Sequence, residues 1–118
     1  MRILWIAGVA ALAGCSASWP VNGELGGDPV TGTATAAVSG GSFRVQNARG
    51  LVCAGTYDAY SAEITITAPV TCSDGRKGRA VISRKTNLLA GTGIVRLDDG
   101  TEGRFVFGDL SFAKEFGS

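Results

Sequence analysis

The 118-residue sequence has no histidine, three prolines, one methionine and three cysteines. Histidine is the side chain that most often carries acid–base and metal chemistry near neutral pH, so Ser-His-Asp and Cys-His catalysis are excluded. An excess of one charge is also missing, since eleven Lys and Arg offset ten Asp and Glu. This balance argues against a nucleic-acid partner or a polybasic membrane peptide. The length allows one small domain at most.

No motif predicts a cofactor, a metal site or a catalytic site. The triplet Asp98-Asp99-Gly100 lacks the alternating oxygen ligands and the bidentate Glu of a calcium loop, and Asp before Gly is ordinary turn chemistry. Ser83 and Lys85 could share one face of a strand, but no oxyanion hole is indicated beside them. The acidic residues show no spacing that places two of them across a cleft. We therefore expect no cofactor and no enzyme activity.

The first fourteen residues have the layout of a secretory signal. Arg2 precedes an apolar run over residues 3–12, and small residues follow. As a helix, residues 3–14 would span about 18 Å, whereas the hydrocarbon core of a membrane is about 30 Å thick. We therefore predict a cleaved signal peptide over residues 1–14 rather than a transmembrane anchor.

The residues at the predicted cleavage site, Leu12-Ala13-Gly14-Cys15, resemble the lipobox of bacterial lipoproteins. The resemblance implies that Cys15 receives a diacylglycerol thioether and becomes the acylated first residue, so that the membrane is a partner through the lipid. Two or more acyl chains anchor a protein stably. By resemblance to lipoprotein sorting in Gram-negative cells, Ser16 favours the periplasmic face of the outer membrane over the inner membrane. The alternative is an ordinary signal peptide that is cut nearby and leaves a free thiol.

Cys53 and Cys72 remain as a pair once Cys15 carries lipid. In an oxidising envelope compartment, a disulfide is the default fate of such a pair. No C-x-x-C spacing indicates redox work. Closing a loop of about twenty residues would contribute roughly 3 kcal/mol to stability in the chain-entropy model. We predict a structural disulfide between these two cysteines.

Residues 15–30 are predicted to form the lipidated N-terminus and a flexible tether. The segment after Cys15 is polar and rich in glycine, and its apolar residues follow neither the period of a strand nor that of a helix. Trp19 in this segment would either lie at the level of the lipid headgroups or pack on the folded domain.

Residues 31–118 are predicted to form a single small β domain. Apolar and polar residues alternate over 31–38, 43–46, 51–57 and 63–72, and glycine-rich turns separate these runs. This pattern predicts an all-β antiparallel meander, barrel or sandwich of about six or seven strands. Pro69 cannot donate a hydrogen bond to a ladder, so its strand should lie at an edge or carry a bulge.

An internal repeat predicts two related Asp-Gly hairpins. Residues 72–82 align with residues 97–107 at an offset of 25, with five of eleven positions identical. Placing apolar residues opposite each other favours a loop longer than two residues, with Cys72 opposite Gly78 and Leu97 opposite Gly103. The second copy loosely resembles the glycine-spaced hairpins of MORN repeats, from which only the hairpin is carried over. The wider pattern from residue 53 to 108 resembles small proteobacterial lipoproteins and implies no particular activity.

The C-terminal residues predict one short helical segment. Asp109 could cap one or two turns of helix, with Phe112 and Phe116 on one face. A helix of this length is marginal alone, so we expect it to form only if it docks on the β domain.

A cluster of cations is the candidate binding surface. Arg79 and Arg104 each follow a glycine at equivalent positions of the repeat, so their guanidinium groups would project in equivalent directions. If adjacent, such groups could hold a phosphate or carboxylate of lipopolysaccharide, peptidoglycan or an acidic protein. Otherwise they belong to a solvated strand face. The candidate anion-binding residues are Arg76, Lys77, Arg79 and Arg104, with Arg84 and Lys85 following on the same strand.

Together these features indicate a lipid-anchored cell-envelope protein with a disulfide-stabilised β domain. Its role would be structural, or it would bind a ligand or an envelope protein or glycan. One alternative is a periplasmic inhibitor of lysozyme or of a protease, with the segment 84–91 or the turn 58–61 entering the enzyme cleft. A second alternative, an enzyme, requires a concave pocket with convergent polar groups.

Overall fold

The computed structural model describes residues 16–86 and 90–116, which form β-strands and one short helix. The predicted signal peptide over residues 1–14 and the predicted lipidation site, Cys15, lie outside the described residues. The described elements, in chain order, are β1 (Ser16–Leu25), β2 (Asp28–Ala37), β3 (Gly40–Gln46), β4 (Val52–Tyr57), β5 (Thr65–Cys72), β6 (Lys77–Arg84), β7 (Gly91–Leu97), β8 (Glu102–Phe107) and α1 (Phe112–Phe116). The predicted all-β class is confirmed.

The strands form a closed antiparallel barrel. Each strand pairs with the next one along the chain, and β8 pairs with β1 to close the sheet. Of the three architectures that the sequence left open, the barrel is the one observed, with eight strands instead of about six or seven. Closure pairs the strand edges that an open sheet would leave exposed.

The predicted tether is wrong over Ser16–Leu25, because these residues form β1. The strand pairs with β2 along its whole length, and Val21–Leu25 also pair with β8. The period of 2 was hidden because Gly23 occupies one of the inward positions. A Cβ atom at Gly23 would lie 2.7 Å from the Cβ of Phe105, so the neighbouring strand covers this position. The eight described strands therefore lie within residues 16–107, and β1 belongs to the barrel.

Aromatic residues and glycines face each other across neighbouring strands inside the barrel. Phe105 lies between Gly23 on β1 and Gly93 on β7, and Phe43 lies opposite Gly55. The same arrangement joins Tyr57 to Gly41 and Phe107 to Gly91. Each ring lies over a backbone that carries no side chain, which allows the strong curvature of a small barrel.

The two ends of the barrel differ, and we name each by a feature of its interior. The disulfide end contains the Cys53–Cys72 bridge, whose prediction the structure confirms. Around it pack the buried side chains of Leu25, Val30 and Leu97. The opposite end, which we call the Arg84 end, contains the start of β1, the end of β6 and the loop between β4 and β5.

The repeat forms two hairpins with the same turn, as predicted, but in a different register. Val70, not Cys72, lies opposite Gly78, and Val95, not Leu97, lies opposite Gly103. A shift of two residues keeps every side chain on its predicted face. The loops are shorter than expected because Gly75 and Gly100 adopt φ angles of 95° and 89° and close three-residue turns.

The same turn occurs a third time, between β3 and β4. The Asn47 N–H donates to the Leu51 carbonyl oxygen at 3.1 Å, and the Gly50 N–H donates to the Asn47 carbonyl oxygen at 3.3 Å. The turn begins 25 residues before Cys72, which is the spacing of the repeat. Sequence comparison missed it because Arg49 replaces the Asp that precedes glycine in the other two copies.

The ladder between β4 and β5 is the shortest in the barrel as described. It joins Cys53 to Cys72 and Ala54 to Thr71, and it ends before Pro69. Because Pro69 has no N–H, it cannot extend this ladder, whereas on its other side it lies in the ladder to β6. The sequence predicts that Pro69 lies in an edge strand or at a bulge. In the closed sheet, β5 is not an edge strand, and Pro69 instead lies where its pairing with β4 is interrupted.

The predicted C-terminal helix is present as α1, and it packs beside β8. Phe112 and Phe116 share one face, with ring centroids 5.0 Å apart, and the guanidinium of Arg104 lies over both rings. Ser111, not Asp109, holds the N-cap position, because the helix begins at Phe112. Within residues 16–86 and 90–116, no helix has the length and apolar character needed to cross a membrane.

Candidate functional site

The interior of the barrel contains a partly open cavity of about 240 Å³, most of whose lining is apolar. This volume exceeds that of a roughly 150 Å³ cavity that holds benzene and falls below the roughly 300 Å³ at which drug-sized sites begin. The lining residues are Trp19, Val21, Glu24, Leu25, Val30, Ala34, Ala36, Phe43, Val45, Cys53, Tyr57, Ala59, Ile66, Val70, Ile82, Arg84, Val95, Phe105 and Phe107. The one carboxylate among them, that of Glu24, pairs with Arg104. The cavity therefore has room for a small, mainly apolar molecule.

Small inward residues on β2 explain why the barrel is not filled. Beyond Val30, the inward positions of this strand hold only Gly32, Ala34 and Ala36. The interior of an eight-stranded barrel is just wide enough for large side chains to fill it or for one small ligand to bind. With no large side chain on this wall, the space between β2 and the opposite strands stays open.

Arg84 places a charge at one end of this cavity. It is the last residue of β6, it lies on the inward face with Ala80 and Ile82, and it is 6% exposed. Its Nη2 group donates hydrogen bonds to the carbonyl oxygens of Ser61, at 2.9 Å, and of Glu63. These bonds hold the guanidinium group against the loop between β4 and β5.

Part of the Arg84 guanidinium remains unpaired. Its Nε atom is buried and has no hydrogen-bond partner among the described residues. No carboxylate within that part of the chain forms an ion pair with it. Buried charges are otherwise found paired and fully hydrogen-bonded, because removing them from water is costly. Among the described residues, Arg84 is therefore the buried side chain with an unsatisfied hydrogen-bond donor.

Tyr57 is a second polar group at the Arg84 end. Its hydroxyl donates to the Thr35 carbonyl oxygen at 3.3 Å. Burial raises the pKa of Tyr57 above 10.0, and the positive charge of Arg84 partly offsets this rise. The phenol is therefore neutral near pH 7, and the only formal charge that these two residues bring to the cavity is the guanidinium.

The predicted anion-binding residues are spread over two regions of the barrel. Arg76 lies in the turn between β5 and β6, where its Nε pairs with Asp74 at 2.8 Å and its Nη1 pairs with Asp99 at 3.1 Å. It thereby connects two hairpin turns. The hydrogen bond that Arg76 donates to Asp99 raises the pKa of Arg76, which stays charged but is occupied by these carboxylates.

The remaining predicted residues lie on the outer face of the barrel. Lys77 and Arg79 share the exposed face of β6, where Arg79 lies opposite Arg96 of β7. Arg104 lies on β8, with β7 between it and Arg79, and its Nε pairs with Glu24 at 3.3 Å. The structure therefore brings Lys77 and Arg79 together and separates both from Arg104.

Of the two loops considered for enzyme inhibition, the turn 58–61 lies at the Arg84 end, as do the described ends of the segment 84–91. Residues 87–89 of the segment 84–91 lie outside the described residues. In the turn 58–61, the Tyr60 hydroxyl donates to the Val38 carbonyl oxygen at 2.7 Å, although the side chain is 68% exposed. Nowhere in residues 16–86 and 90–116 do three or more Cys, Asp or Glu side chains cluster closely enough to hold a metal ion.

Sequence analysis missed Arg84 as a site residue and grouped it with the surface cations. The available signal was the alternation of Ala80, Ile82 and Arg84 on β6, which places the arginine on the apolar face. The signal is weak because a charged residue at the end of a strand usually turns to solvent.

The fold and the cavity define the class of protein: a small closed antiparallel β-barrel with an apolar interior and a buried cation at one end. Comparison with models of known protein families, with curated proteins and with solved structures finds no match to this chain. The geometry of the barrel and the sequence therefore carry the functional argument.

Proposed function

We propose that this protein is a lipid-anchored binding protein of the bacterial cell envelope whose barrel holds a small apolar ligand. The observation that carries the proposal is the apolar cavity of about 240 Å³ inside the barrel. Transfer of an apolar ligand into such a space is favourable by roughly 25 cal/mol for each Å² removed from water. The cavity favours ligand binding over a purely structural role.

The anchor rests on the resemblance of Leu12-Ala13-Gly14-Cys15 to a lipobox. Because β1 begins at Ser16, directly after the proposed acylated residue, only a short connection separates the lipid from the barrel. Ser16 lies at the Arg84 end, so this end would face the membrane. On this proposal, the protein sits close to the lipid surface instead of extending from it on a tether.

The proposal does not include catalysis. Arginine donates hydrogen bonds and accepts none, and burial raises the pKa of Tyr57, so its phenol keeps its proton near neutral pH. Neither polar group therefore serves as a base near neutral pH, and histidine is absent from the chain.

A fluorescence titration tests the ligand. In a chain that begins at residue 16, Trp19 is the single tryptophan and lines the cavity. We expect 1-decanol to change its emission saturably and to raise the melting temperature, because a ligand that binds the folded state stabilises it. A chain that shows neither change refutes ligand binding in the barrel.

A matched pair of variants locates the binding. Ala34 points into the cavity and Thr33 points outward from the same strand. Ala34→Leu should abolish the effect of decanol by filling the space, and Thr33→Val should leave it unchanged. Equal binding by the two folded variants would place the ligand outside the barrel and contradict the proposal.

Metabolic labelling with a fatty acid tests the anchor separately. We expect the full-length chain to carry the label and the Cys15→Ala variant to lack it. If neither chain is labelled, the lipid anchor is wrong, whereas ligand binding is decided by the titration.

A further inference from the structure

The buried arginine of the barrel has an N–H group that no described residue accepts. Arg84 is more than nine-tenths buried, it lines the cavity, and its Nε–H has no acceptor among the described residues. Its two hydrogen bonds go to neutral carbonyl oxygens, which do not neutralise the charge. An anionic group in the cavity would supply both an acceptor for Nε–H and the opposite charge.

The charge and shape of the site favour a carboxylate. One guanidinium balances the single charge of a carboxylate but only part of the charge of a phosphate monoester. Arginine also presents its N–H groups in a planar fork that matches the two oxygens of a carboxylate. The loop carbonyl oxygens accept from Nη2, so the Nε–H, which has no acceptor among the described residues, is the donor left for a ligand.

The rest of the cavity sets the length of the ligand. From Arg84, the cavity runs along apolar walls to Cys53 and Val70 at the disulfide end. A roughly 150 Å³ cavity holds the six carbons of benzene, so about 240 Å³ holds about ten non-hydrogen atoms. An unsubstituted hydrocarbon chain of this length matches this mainly apolar lining.

From these observations we infer that the barrel binds a medium-chain carboxylate of about eight to ten carbons, with its carboxylate on Arg84 and its chain toward the disulfide end. The inference rests on the proposed function, because it assigns the chemistry of the ligand in the same cavity. Arg84 would then be the residue that determines specificity for an anionic head group.

Three probes with the same ten-carbon chain test the head group. Decanoate, 1-decanol and decyltrimethylammonium are titrated into the chain that begins at residue 16, below the micelle concentration of each, and Trp19 emission is followed. We expect decanoate to bind about tenfold or more tightly than decanol, since hydrogen bonds to charged groups are among the stronger ones. The ammonium probe should bind more weakly than decanol because it is repelled by Arg84. Decyl phosphate is a fourth probe, and we expect it to bind more weakly than decanoate.

Variants on one strand assign the preference to Arg84. Arg84→Gln should lower the affinity for decanoate about tenfold or more and leave that for decanol unchanged. Arg84→Lys keeps the positive charge and should still prefer decanoate to decanol. The preference should be smaller than in the native chain, because lysine lacks the planar guanidinium group that matches both carboxylate oxygens. Arg79→Gln, on the outer face of the same strand, should bind as the native chain does.

The outcomes separate the inference from the proposed function. The role of Arg84 is overturned if the native chain binds decanoate and decanol with equal affinity. It is also overturned if Arg84→Gln still prefers decanoate to decanol. Either result leaves the apolar site in place. Stronger binding of decyl phosphate than of decanoate overturns the carboxylate assignment. Binding of none of the probes refutes the proposed function itself. If Arg84→Gln does not fold, as judged by circular dichroism, the native preference and its reduction in Arg84→Lys decide the inference.

Discussion

Single glycines determine how closely neighbouring strands approach inside the barrel. Gly93 of β7 lies opposite Phe105 of β8, and a Cβ atom at this position would lie 2.1 Å from Cζ of the ring. On the other side of Phe105 lies Gly23 of β1, where an added Cβ atom would lie 2.7 Å from the Cβ of Phe105. The packing of the Phe105 ring against β7 therefore depends on the absence of a Cβ atom at Gly93.

Replacing this glycine should destabilise the protein. We expect Gly93→Ala to lower the free energy of unfolding by about 1–3 kcal/mol, because the new methyl group forces the ring out of its place. Urea denaturation measures the change.

The double variant Gly93→Ala with Phe105→Leu is the control for this effect. Because leucine has no ring to meet the methyl group, the double variant should lose less stability than the sum of the two single changes. Additive losses would show that contact with the ring is not the cause.

At the scale of elements, Arg76 joins two copies of the repeated turn. It binds Asp74 in its own hairpin and both Asp99 and Thr101 in the next one. The N–H of Thr101 lowers the pKa of Asp99 below 3.8, and Arg76 lowers it further. Two hairpins that are similar in sequence are thereby held side by side through their turns.

This link predicts a dependence of stability on acid. Because the pKa of Asp99 is lower in the folded protein, its ionised form stabilises the fold above the unfolded value of 3.8. The stabilisation should be lost as the pH falls below 3.8 through the folded pKa. We expect Asp99→Asn to lower the melting temperature at pH 7 and to bring it closer to that of the native chain at pH 2 to 3.

Asp98→Asn is the control, since Asp98 is the exposed neighbour of Asp99 in the same turn. Asp98→Asn should leave the dependence of the melting temperature on pH close to that of the native chain. Identical profiles for Asp99→Asn and the native chain would contradict the role of the ion pair in stability.

At the scale of the whole molecule, closure of the barrel depends on every ladder, and that between β4 and β5 is the shortest described. The disulfide crosses this ladder, linking residues that are 19 apart in the sequence. A covalent bond therefore joins the two strands where backbone pairing is most limited. Pro69 explains the limited pairing, because it supplies no N–H.

Loss of the disulfide should weaken the closed barrel. We expect the Cys53→Ala, Cys72→Ala double variant to lose about 3 kcal/mol of stability, as estimated for a loop of this length. Hydrogen exchange should increase first in β4 and β5, where the ladder is short. Thermal denaturation of the native chain with and without reductant measures the loss of stability. The double variant is the control, because it has no disulfide for the reductant to break.

A reductant that shifts the melting temperature of the native chain no more than that of the variant would contradict this prediction. Equal exchange rates in all strands would contradict the assignment of β4 and β5 as the weakest junction.

The repeat shows how much of the architecture could be predicted from sequence. Its alternation placed the side chains of both hairpins on the correct faces, because a face depends only on a period of 2. The register was wrong by two residues, since it depends on the φ angles of Gly75 and Gly100 in the turns. The first strand was missed because Gly23 hides its alternation.

The candidate site was less accessible to sequence reasoning than the fold. A cavity is a volume that remains between strands, and it depends on which small residues of β2 face which large ones across the barrel. The position of Arg84 depends on two carbonyl groups in a loop about twenty residues away along the chain. Neither relationship has a local pattern in the sequence.

The sequence by itself determined the all-β class, the pairing of Cys53 with Cys72 and the two related hairpins, because alternation, cysteine count and turn glycines are local properties. Only the tertiary structure decided that eight strands close into a barrel and that Arg84 points into an apolar cavity. Closure and internal volume arise from contacts between residues far apart in the chain, which no local pattern encodes.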